Sequence, residues 1–279
     1  MENFMNEIDM LEEMFENGEI TRLEYADQYF EEAGDPDKEV SDAANESALE
    51  KVKASIQGII DRIQAFYREI RAKFQQTVMS AKMKGLREKT AYEVYHVIDD
   101  PWLALATKKL LKMQDTGLKR LHAIYLETIN GKISYEEGKK RARFMVDKYK
   151  LAVKAEADKI AGNELSAITA KRKGKVRKYY KEQLLNILKQ HCDRHEKITK
   201  GLEDNIIAYE KNLYKDAGKA KKFASERRGM ASCIASMASI MNNAVANAIN
   251  RIFASAAAAT VVTGAAIAMN AAATAGSQY

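Results

Sequence analysis

Proline, cysteine and tryptophan are scarce in this chain of 279 residues, which holds 2 Pro, 2 Cys and 1 Trp. Runs of alternating β-branched residues are nearly absent, whereas Ala, Lys, Glu, Ile and Met are plentiful. So few helix breakers and so little strand-forming sequence argue against a β-rich fold. We predict an all-α protein, an elongated bundle of coiled-coil-like helices with a small helical-hairpin head and an uncharged Ala-rich C-terminal helix or hairpin.

The cysteine content argues against a fold held by disulfides. Cys192 and Cys233 are too few for a disulfide framework and too far apart for the C-x-x-C pair of a zinc ribbon. A reducing compartment is therefore the simplest setting. The N-terminal sequence is acidic and lacks the basic region of a secretory signal, so we expect synthesis in the cytoplasm without a signal peptide.

Sequence motifs of catalysis are missing as well. The chain has no Gly-rich phosphate loop, no G-x-S-x-G elbow and no paired carboxylates in an apolar frame. His191 and His195, at i and i+4, share one face of a helix and can supply two metal positions, but no third ligand is indicated. We therefore expect no enzymatic activity, no metal, no cofactor and no small-molecule substrate.

Charge is distributed in three blocks along the chain. Residues 1–50 have a net charge of −15, residues 51–228 have +20, and residues 229–279 contain one charged side chain, Arg251. An imbalance of this size bears on partners rather than on fold. We expect the acidic block to dock on the basic body or on another basic protein.

The charge blocks and the helix breakers together suggest a domain organisation. We expect an acidic helical-hairpin head at 1–34, a linker at 35–45, a basic long-helix bundle at 46–228 and an uncharged segment at 229–279. Asp100 is predicted to cap a helix that begins at Pro101. Helical sequence is then expected to run from Ser134 to about Arg228.

Two stretches share a pattern that predicts a helical corner. NGEITRLEY begins at Asn17 and NGKISYEEG at Asn130. In the second, Gly131 is expected to be left-handed, Ser134 to cap the next helix and Glu137 to bond back to the cap amide, as in a capping box. Neither copy has the oxygen ligands of a calcium loop. NGEITRLEY also resembles short helical-hairpin modules found at the ends of many bacterial proteins.

An apolar heptad pattern marks the clearest helix. Seven apolar residues follow one another at spacings of 3, 4, 3, 4, 3 and 4, with charges on the other faces. This period predicts either a coiled coil or one long member of a helix bundle. The predicted core positions are Leu49, Val52, Ile56, Ile59, Ile63, Phe66 and Ile70.

Cations are densest in KRKGKVRKYYK, which contains seven of them together with Tyr179 and Tyr180. Lys and Arg at this density neutralise the phosphates of DNA or of an anionic membrane, and the tyrosines can stack on bases or lie at a membrane interface. The alternative is the solvated face of a helix. The predicted contacts with nucleic acid or lipid headgroups are Lys171, Arg172, Lys173, Lys175, Arg177, Lys178 and Lys181.

The nearly uncharged C-terminal segment is the most unusual feature of the sequence. Residues 252–269 are uncharged and long enough to cross a bilayer, but they are rich in Ala and have no Leu, so we do not predict a stable anchor. A seam of small polar residues predicts close packing in an oligomer, or a pore lining. Its members are Ser232, Ser236, Ser239, Asn243, Asn247 and Asn250. A hairpin near Gly264 and a disordered tail are the alternatives.

This layout resembles that of phage internal virion or ejection proteins, which are helical and lack signal peptides. The resemblance implies a non-enzymatic structural protein, found in a virion interior and then at a host membrane, whose C-terminal segment packs in an oligomer or inserts in lipid. Expected partners are further copies of the chain or other virion proteins, with DNA or an anionic membrane. Two other functions fit the residues: an α-helical pore-forming or membrane-active effector, and a nucleic-acid-binding scaffold.

Overall fold

The computed structural model describes residues 42–81, 86, 91–94, 97–171, 177–218 and 224–275. The predicted head at 1–34 and most of the predicted linker at 35–45 lie outside the described residues. Of the predicted phosphate contacts, Arg172, Lys173 and Lys175 also lie outside the described residues. For Leu49, Val52 and Lys171 the structure describes the backbone but not the side chain.

Helices make up nearly all of the described chain and pack as a bundle, which confirms the all-α prediction. The helices are α1 (Asp42–Gln76), α2 (Asp100–Ile129), α3 (Tyr135–Asp158), α4 (Leu165–Lys171), α5 (Lys181–Gly218) and α6 (Ala224–Ala275). Two π-helical stretches extend them. Thr77–Ala81 continues α1, and Lys159–Glu164 joins α3 to α4.

Two short strands interrupt the helical pattern. β1 (Ala91–Val94) and β2 (Arg177–Tyr180) pair antiparallel, with the first residue of β1 opposite the last residue of β2. The prediction of helical sequence from Ser134 to about Arg228 is therefore wrong for Arg177–Tyr180. Tyr92 and Val94 bury their side chains in a small apolar cluster with Leu184 of α5. This contact with a distant helix favours the strand pair, and local composition does not reveal it.

The corner between α2 and α3 follows its sequence prediction in most respects. Gly131 has a φ of 72°, the left-handed conformation that favours glycine. The Ser134 hydroxyl accepts a hydrogen bond from the Glu137 amide at 3.2 Å, which confirms Ser134 as the N-cap. The Glu137 carboxylate accepts from Arg141 at 2.7 Å rather than from the Ser134 amide. Only half of the predicted capping box therefore forms.

The start of α2 is shifted by one residue from its prediction. Asp99 is the N-cap, because its carboxylate accepts from the Trp102 amide at 3.1 Å. Asp100 is the first residue of the helix, and its carboxylate forms an ion pair with Arg194 of α5. The hydrogen bond from Arg194 lowers the pKa of Asp100. The N-terminus of α2 is thereby tied to the middle of α5.

Gly138 allows α2 and α3 to approach closely at their corner. A Cβ at this position would overlap the Thr128 hydroxyl and lie 3.0 Å from Met230 Cε. We expect Gly138→Ala to lower the free energy of unfolding by about 1–2 kcal/mol, because the crowding outweighs the higher helix propensity of alanine. Gly58 in α1 has open space around it, so Gly58→Ala should raise that free energy by about 0.5–1 kcal/mol. Urea unfolding measures both shifts, and shifts of the same sign would contradict the close approach.

α1 is a member of the bundle and packs mainly against α5. Its buried side chains recur at spacings of 3, 4, 3 and 4 residues, which form one apolar face. They are Ile60, Ile63, Tyr67, Ile70 and Phe74, and the buried Val78 follows in the π-helical stretch. Of the predicted heptad core, Ile63 and Ile70 are buried, while Ile56, Ile59 and Phe66 are half-buried against the same core. The heptad pattern therefore identified the correct helix and roughly the correct face.

α6 lies in the middle of the bundle, in contact with α2, α3 and α5. Between Met230 and Thr260 every side chain is buried or half-buried, and none is exposed. A stretch without an exposed side chain offers no fully solvated position to a charge, in keeping with its almost uncharged sequence. The single charged side chain between Met230 and Thr260 is that of Arg251, which is half-buried and forms an ion pair with Asp158 of α3.

The C-terminal segment forms one helix and not two. α6 continues to Ala275, so the alternative of a hairpin near Gly264 is wrong. Within the part of the chain that the structure describes, no helix combines the length and the hydropathy needed to cross a bilayer.

Candidate functional site

A row of polar side chains lies on the buried face of α5. Its members recur at steps of four residues and then one of seven: His191, His195, Thr199, Glu203 and Glu210. Burial of a polar group is unfavourable unless the group is hydrogen-bonded, so apolar packing alone does not account for such a row. We take this polar row of α5 as the candidate site.

The two histidines make separate contacts and do not form a metal pair. His191 Nε2 lies 2.7 Å from the carbonyl oxygen of Ile98, and His195 Nε2 is hydrogen-bonded to Asn250 Oδ1 of α6. The ring of Phe74 stacks on His195 with centroids 4.0 Å apart. Among the described residues, no group of three or more His, Cys, Asp or Glu side chains could hold a metal ion. Each imidazole instead joins α5 to a neighbouring segment.

Burial keeps His195 neutral. It lowers the pKa of this imidazole from 6.5 to about 4, and the hydrogen bond with Asn250 opposes the shift only in part. Between pH 4 and 6.5 the folded protein therefore binds fewer protons at this site than the unfolded chain does. Stability from this group is present at neutral pH and is lost as the pH falls through that window.

His195→Gln tests this linkage, because the amide keeps a donor for Asn250 but does not titrate. The shift of the pKa corresponds to about 3 kcal/mol. Between pH 7 and pH 4 the variant should therefore lose about 3 kcal/mol less of its free energy of unfolding than the wild type loses. Urea unfolding at the two pH values measures the difference. Equal losses would mean that His195 is already solvated or charged in the folded protein.

A hydrogen-bond network joins four helices in the interior. Asn242 Oδ1 of α6 accepts from the Tyr67 hydroxyl of α1 at 2.8 Å and from Gln114 Nε2 of α2 at 2.7 Å. Gln114 Oε1 in turn accepts from Asn205 Nδ2 of α5 at 2.8 Å. If α6 slid along its neighbours, these groups would be buried without partners. The network therefore favours one register of α6 in the bundle.

The two glutamates of the polar row differ in their partners. Glu203 Oε2 lies 2.7 Å from Arg71 Nη1 of α1. Glu210 is fully buried, and neither of its carboxyl oxygens has a hydrogen-bond partner. Desolvation raises the pKa of Glu210 to about 8, so its carboxyl group is mostly protonated at neutral pH.

Tyrosine hydroxyls near Glu210 are also without partners. The hydroxyls of Tyr125, Tyr209 and Tyr214 are buried and make no hydrogen bond. Burial, and to a smaller degree the charge of Glu210, raises the pKa of both Tyr209 and Tyr214. This end of the polar row thus contains several buried polar groups without hydrogen-bond partners, and such groups lower the stability of the fold.

Two titratable groups of the polar row, His195 and Glu210, are mostly neutral near pH 7. Besides the imidazole of His195 and the carboxyl group of Glu210, the row adjoins Cys192, whose pKa burial raises to about 11. A protonated thiol is a poor nucleophile. The row can therefore take up a proton at His195 when the pH falls and release a proton from Glu210 when the pH rises.

The basic segment can be placed in part. Arg177 and Lys178 are exposed on β2, and Lys181, which is half-buried, begins α5. Tyr180 is 53% exposed at the end of the same strand, whereas Tyr179 packs against the small apolar cluster. The described part of the segment therefore presents two cations and one aromatic ring to solvent.

The predicted polar seam of α6 lies on the less buried side of the helix. Its six members are all half-buried: Ser232, Ser236, Ser239, Asn243, Asn247 and Asn250. Asn250 is hydrogen-bonded to His195 of the same chain. Asn242, which is outside the predicted seam, is the buried residue that connects three other helices through the network.

Most of the polar row was not identified from the sequence. Only the two histidines were singled out there, whereas Thr199, Glu203 and Glu210 were not. The signal that could have found them is their spacing, because they fall on the same face as the buried apolar residues of α5. These are Leu184, Leu188, Leu202, Ile206 and Leu213.

Comparisons of the chain with protein-family models, with curated proteins and with solved structures gave no match.

Proposed function

We propose that the protein is a non-enzymatic helical structural protein that serves as a component of a larger assembly, as phage internal virion proteins do. Support comes from the packing of α6. Its nearly uncharged stretch from Met230 to Thr260 is covered by α2, α3 and α5 of the same chain. This stretch is thus the central helix of a bundle formed within one chain, and a stable bundle is suited to a structural role in an assembly.

The polar contacts of α6 favour a function in which this helix stays folded within the bundle. Insertion into lipid would separate Asn242 from Tyr67 and Gln114, and Asn250 from His195. In a hydrocarbon environment these amides would have to find new partners at a considerable free-energy cost.

Hydrogen exchange tests the proposal. The full-length protein is compared, free in solution, with the same protein in the assembly isolated from its source. We expect the amides between Met230 and Thr260 to exchange slowly and to the same extent in both, since α6 keeps its covering helices. Rapid exchange of α6 in the assembly would contradict a structural role for the intact bundle.

A membrane-active effector is a second candidate, and the contact between α5 and α6 favours it. His195 Nε2 donates to Asn250 Oδ1, and burial keeps the imidazole neutral, so protonation of His195 in acid disfavours this contact between α5 and α6. The test is dye release from phosphatidylglycerol vesicles by the full-length protein. Release at pH 4 but not at pH 7, with less release by His195→Gln, would favour this candidate. No release at either pH would favour the structural role.

A nucleic-acid-binding scaffold is favoured by the exposed cations of β2. A mobility-shift assay compares the wild type with Arg177→Gln/Lys178→Gln and with a control pair on α2, Lys108→Gln/Lys112→Gln, whose side chains are also exposed. A scaffold predicts that only the β2 pair weakens binding and lowers its salt dependence. Equal effects of the two pairs would indicate attraction to the basic body in general.

A further inference from the structure

The solvated side of α3 carries large apolar side chains. Leu151 is 71% exposed and Phe144 is 62% exposed, which makes them two of the three most exposed large apolar residues in the described chain. They lie seven residues apart, so they share one face of the helix two turns from each other. Lys148 lies between them, with its Nζ 4.4 Å from the centroid of the Phe144 ring. We call Phe144, Lys148, Leu151 and the exposed Ala155 the outer face of α3.

This outer face is strongly cationic. The segment from Lys139 to Ala155 contains seven basic residues and one acidic residue, Asp147. The cations exposed beside the apolar side chains are Lys140, Arg143, Lys148, Lys150 and Lys154. An apolar stripe bordered by one sign of charge suits a partner with an apolar stripe bordered by the other sign.

The N-terminal sequence of the same chain has this complementary character. Residues 1–16 contain six acidic side chains and no basic one. Phe4, Ile8, Leu11 and Phe15 follow at spacings of 4, 3 and 4, which would place them on one face of a helix. Most of the acidic residues would then lie on the opposite side and along its edges.

We propose that residues 4–15 dock on the outer face of α3 of the same chain, with their apolar stripe against Phe144 and Leu151 and their carboxylates near the flanking cations. The tether permits this contact. Residues 17–41 separate the acidic segment from the first residue of α1, and 25 residues can span up to about 80 Å. α3 itself, with 24 residues, is only about 36 Å long.

Docking within one chain is also favoured by the high effective concentration of a covalently tethered segment. A tether of 25 residues holds the segment at an effective concentration of about a millimolar, so even a weak contact is populated. The contact covers an apolar and cationic surface that would otherwise attract further copies of the chain or polyanions.

Carboxyl–amine cross-linking of the full-length protein tests the proposal. A zero-length carbodiimide reagent joins carboxylates to lysines that are in contact, and mass spectrometry identifies the pairs. We expect links from Glu7, Glu12 or Glu13 to Lys140, Lys148 or Lys154. Equal mixing of ¹⁴N- and ¹⁵N-labelled protein before the reaction shows whether both ends of a link come from one chain.

The matched variants are Phe144→Asp/Leu151→Asp and Leu105→Asp. Leu105 is 69% exposed on α2, so all three substitutions replace exposed apolar side chains and should preserve the fold. The yield of links to α3 should fall by about tenfold in the double variant, which corresponds to a loss of about 1.4 kcal/mol of docking free energy. In Leu105→Asp the yield should not change. Links confined to other elements, or an unchanged yield in the double variant, would overturn the proposal. Links of mixed isotope composition would assign the surface to a second copy and would also overturn it.

Discussion

At pH 8 the Glu210→Gln variant is expected to be more stable than the wild type by about 4 kcal/mol, and near pH 4.5 the two should be equally stable. The side chains have nearly the same shape, and both are neutral at the lower pH. In the wild type, however, the pKa of Glu210 is raised from 4.5 to about 8 by burial. Folding therefore holds a proton on Glu210 that the unfolded chain releases above pH 4.5. The resulting loss of stability grows as the pH rises to 8 and is absent in the glutamine variant.

Glu203→Gln provides the matched control on the same helix. Glu203 is nearly buried but forms an ion pair with Arg71 at 2.7 Å. Its replacement leaves Arg71 without its charge partner, so we expect a loss of about 2 kcal/mol at neutral pH. The two glutamine variants should thus shift the free energy of unfolding in opposite directions in urea titrations. A Glu210→Gln variant that gains nothing between pH 4.5 and 8 would show that Glu210 is solvated or paired in solution.

The wild-type pH profile should hide the titrations of His195 and Glu210 over part of the acidic range. Between pH 4.5 and 6.5 the contribution of His195 rises with pH by about 1.4 kcal/mol per unit, while that of Glu210 falls at the same rate. Their sum is nearly constant there, because one pKa is lowered to about 4 and the other is raised to about 8. Removal of either group should reveal the slope that belongs to the other.

The elements of this fold that follow from local chemistry could be predicted from the sequence. The left-handed Gly131 and the N-cap at Ser134 depend on a few adjacent residues, and both form as expected. The heptad pattern of α1 likewise identified a helix with one apolar face. The strand pair could not be predicted, because Tyr92 and Val94 are held by Leu184, more than eighty residues away.

The location of α6 shows a different limit of sequence reasoning. A nearly uncharged segment of this length is expected to be shielded from water. Composition does not distinguish shielding by other copies of the chain, by lipid or by the same chain. The seam of Ser and Asn residues predicted one special face, whereas neighbouring helices cover α6 on several sides. The seam residues are all half-buried and lie on one side of α6, whereas the opposite side is fully buried in the bundle. The decisive residues, Asn242 and Gln114, are recognisable only once their helices are brought together.

The largest destabilisation is expected from Ala246→Asp, which places a carboxylate on the fully buried centre of α6. Apolar neighbours surround this position, so the charge would be desolvated without a partner, at a cost of more than about 5 kcal/mol. We expect the variant not to fold at neutral pH. The control is Ala152→Asp on the exposed side of α3, which should change the free energy of unfolding by no more than about 0.5 kcal/mol.

Circular dichroism and size-exclusion chromatography with light scattering distinguish this outcome from its alternatives. If the chain's own helices shield α6, Ala246→Asp abolishes the folded monomer itself, because the same contacts that bury Ala246 hold α2, α3 and α5 together. If sibling chains provided the shielding, the variant would stay helical and only its molar mass would fall. A variant that is as helical and as stable as Ala152→Asp would mean that α6 lies outside the core. The proposal that α6 is the central helix of the bundle would then be wrong.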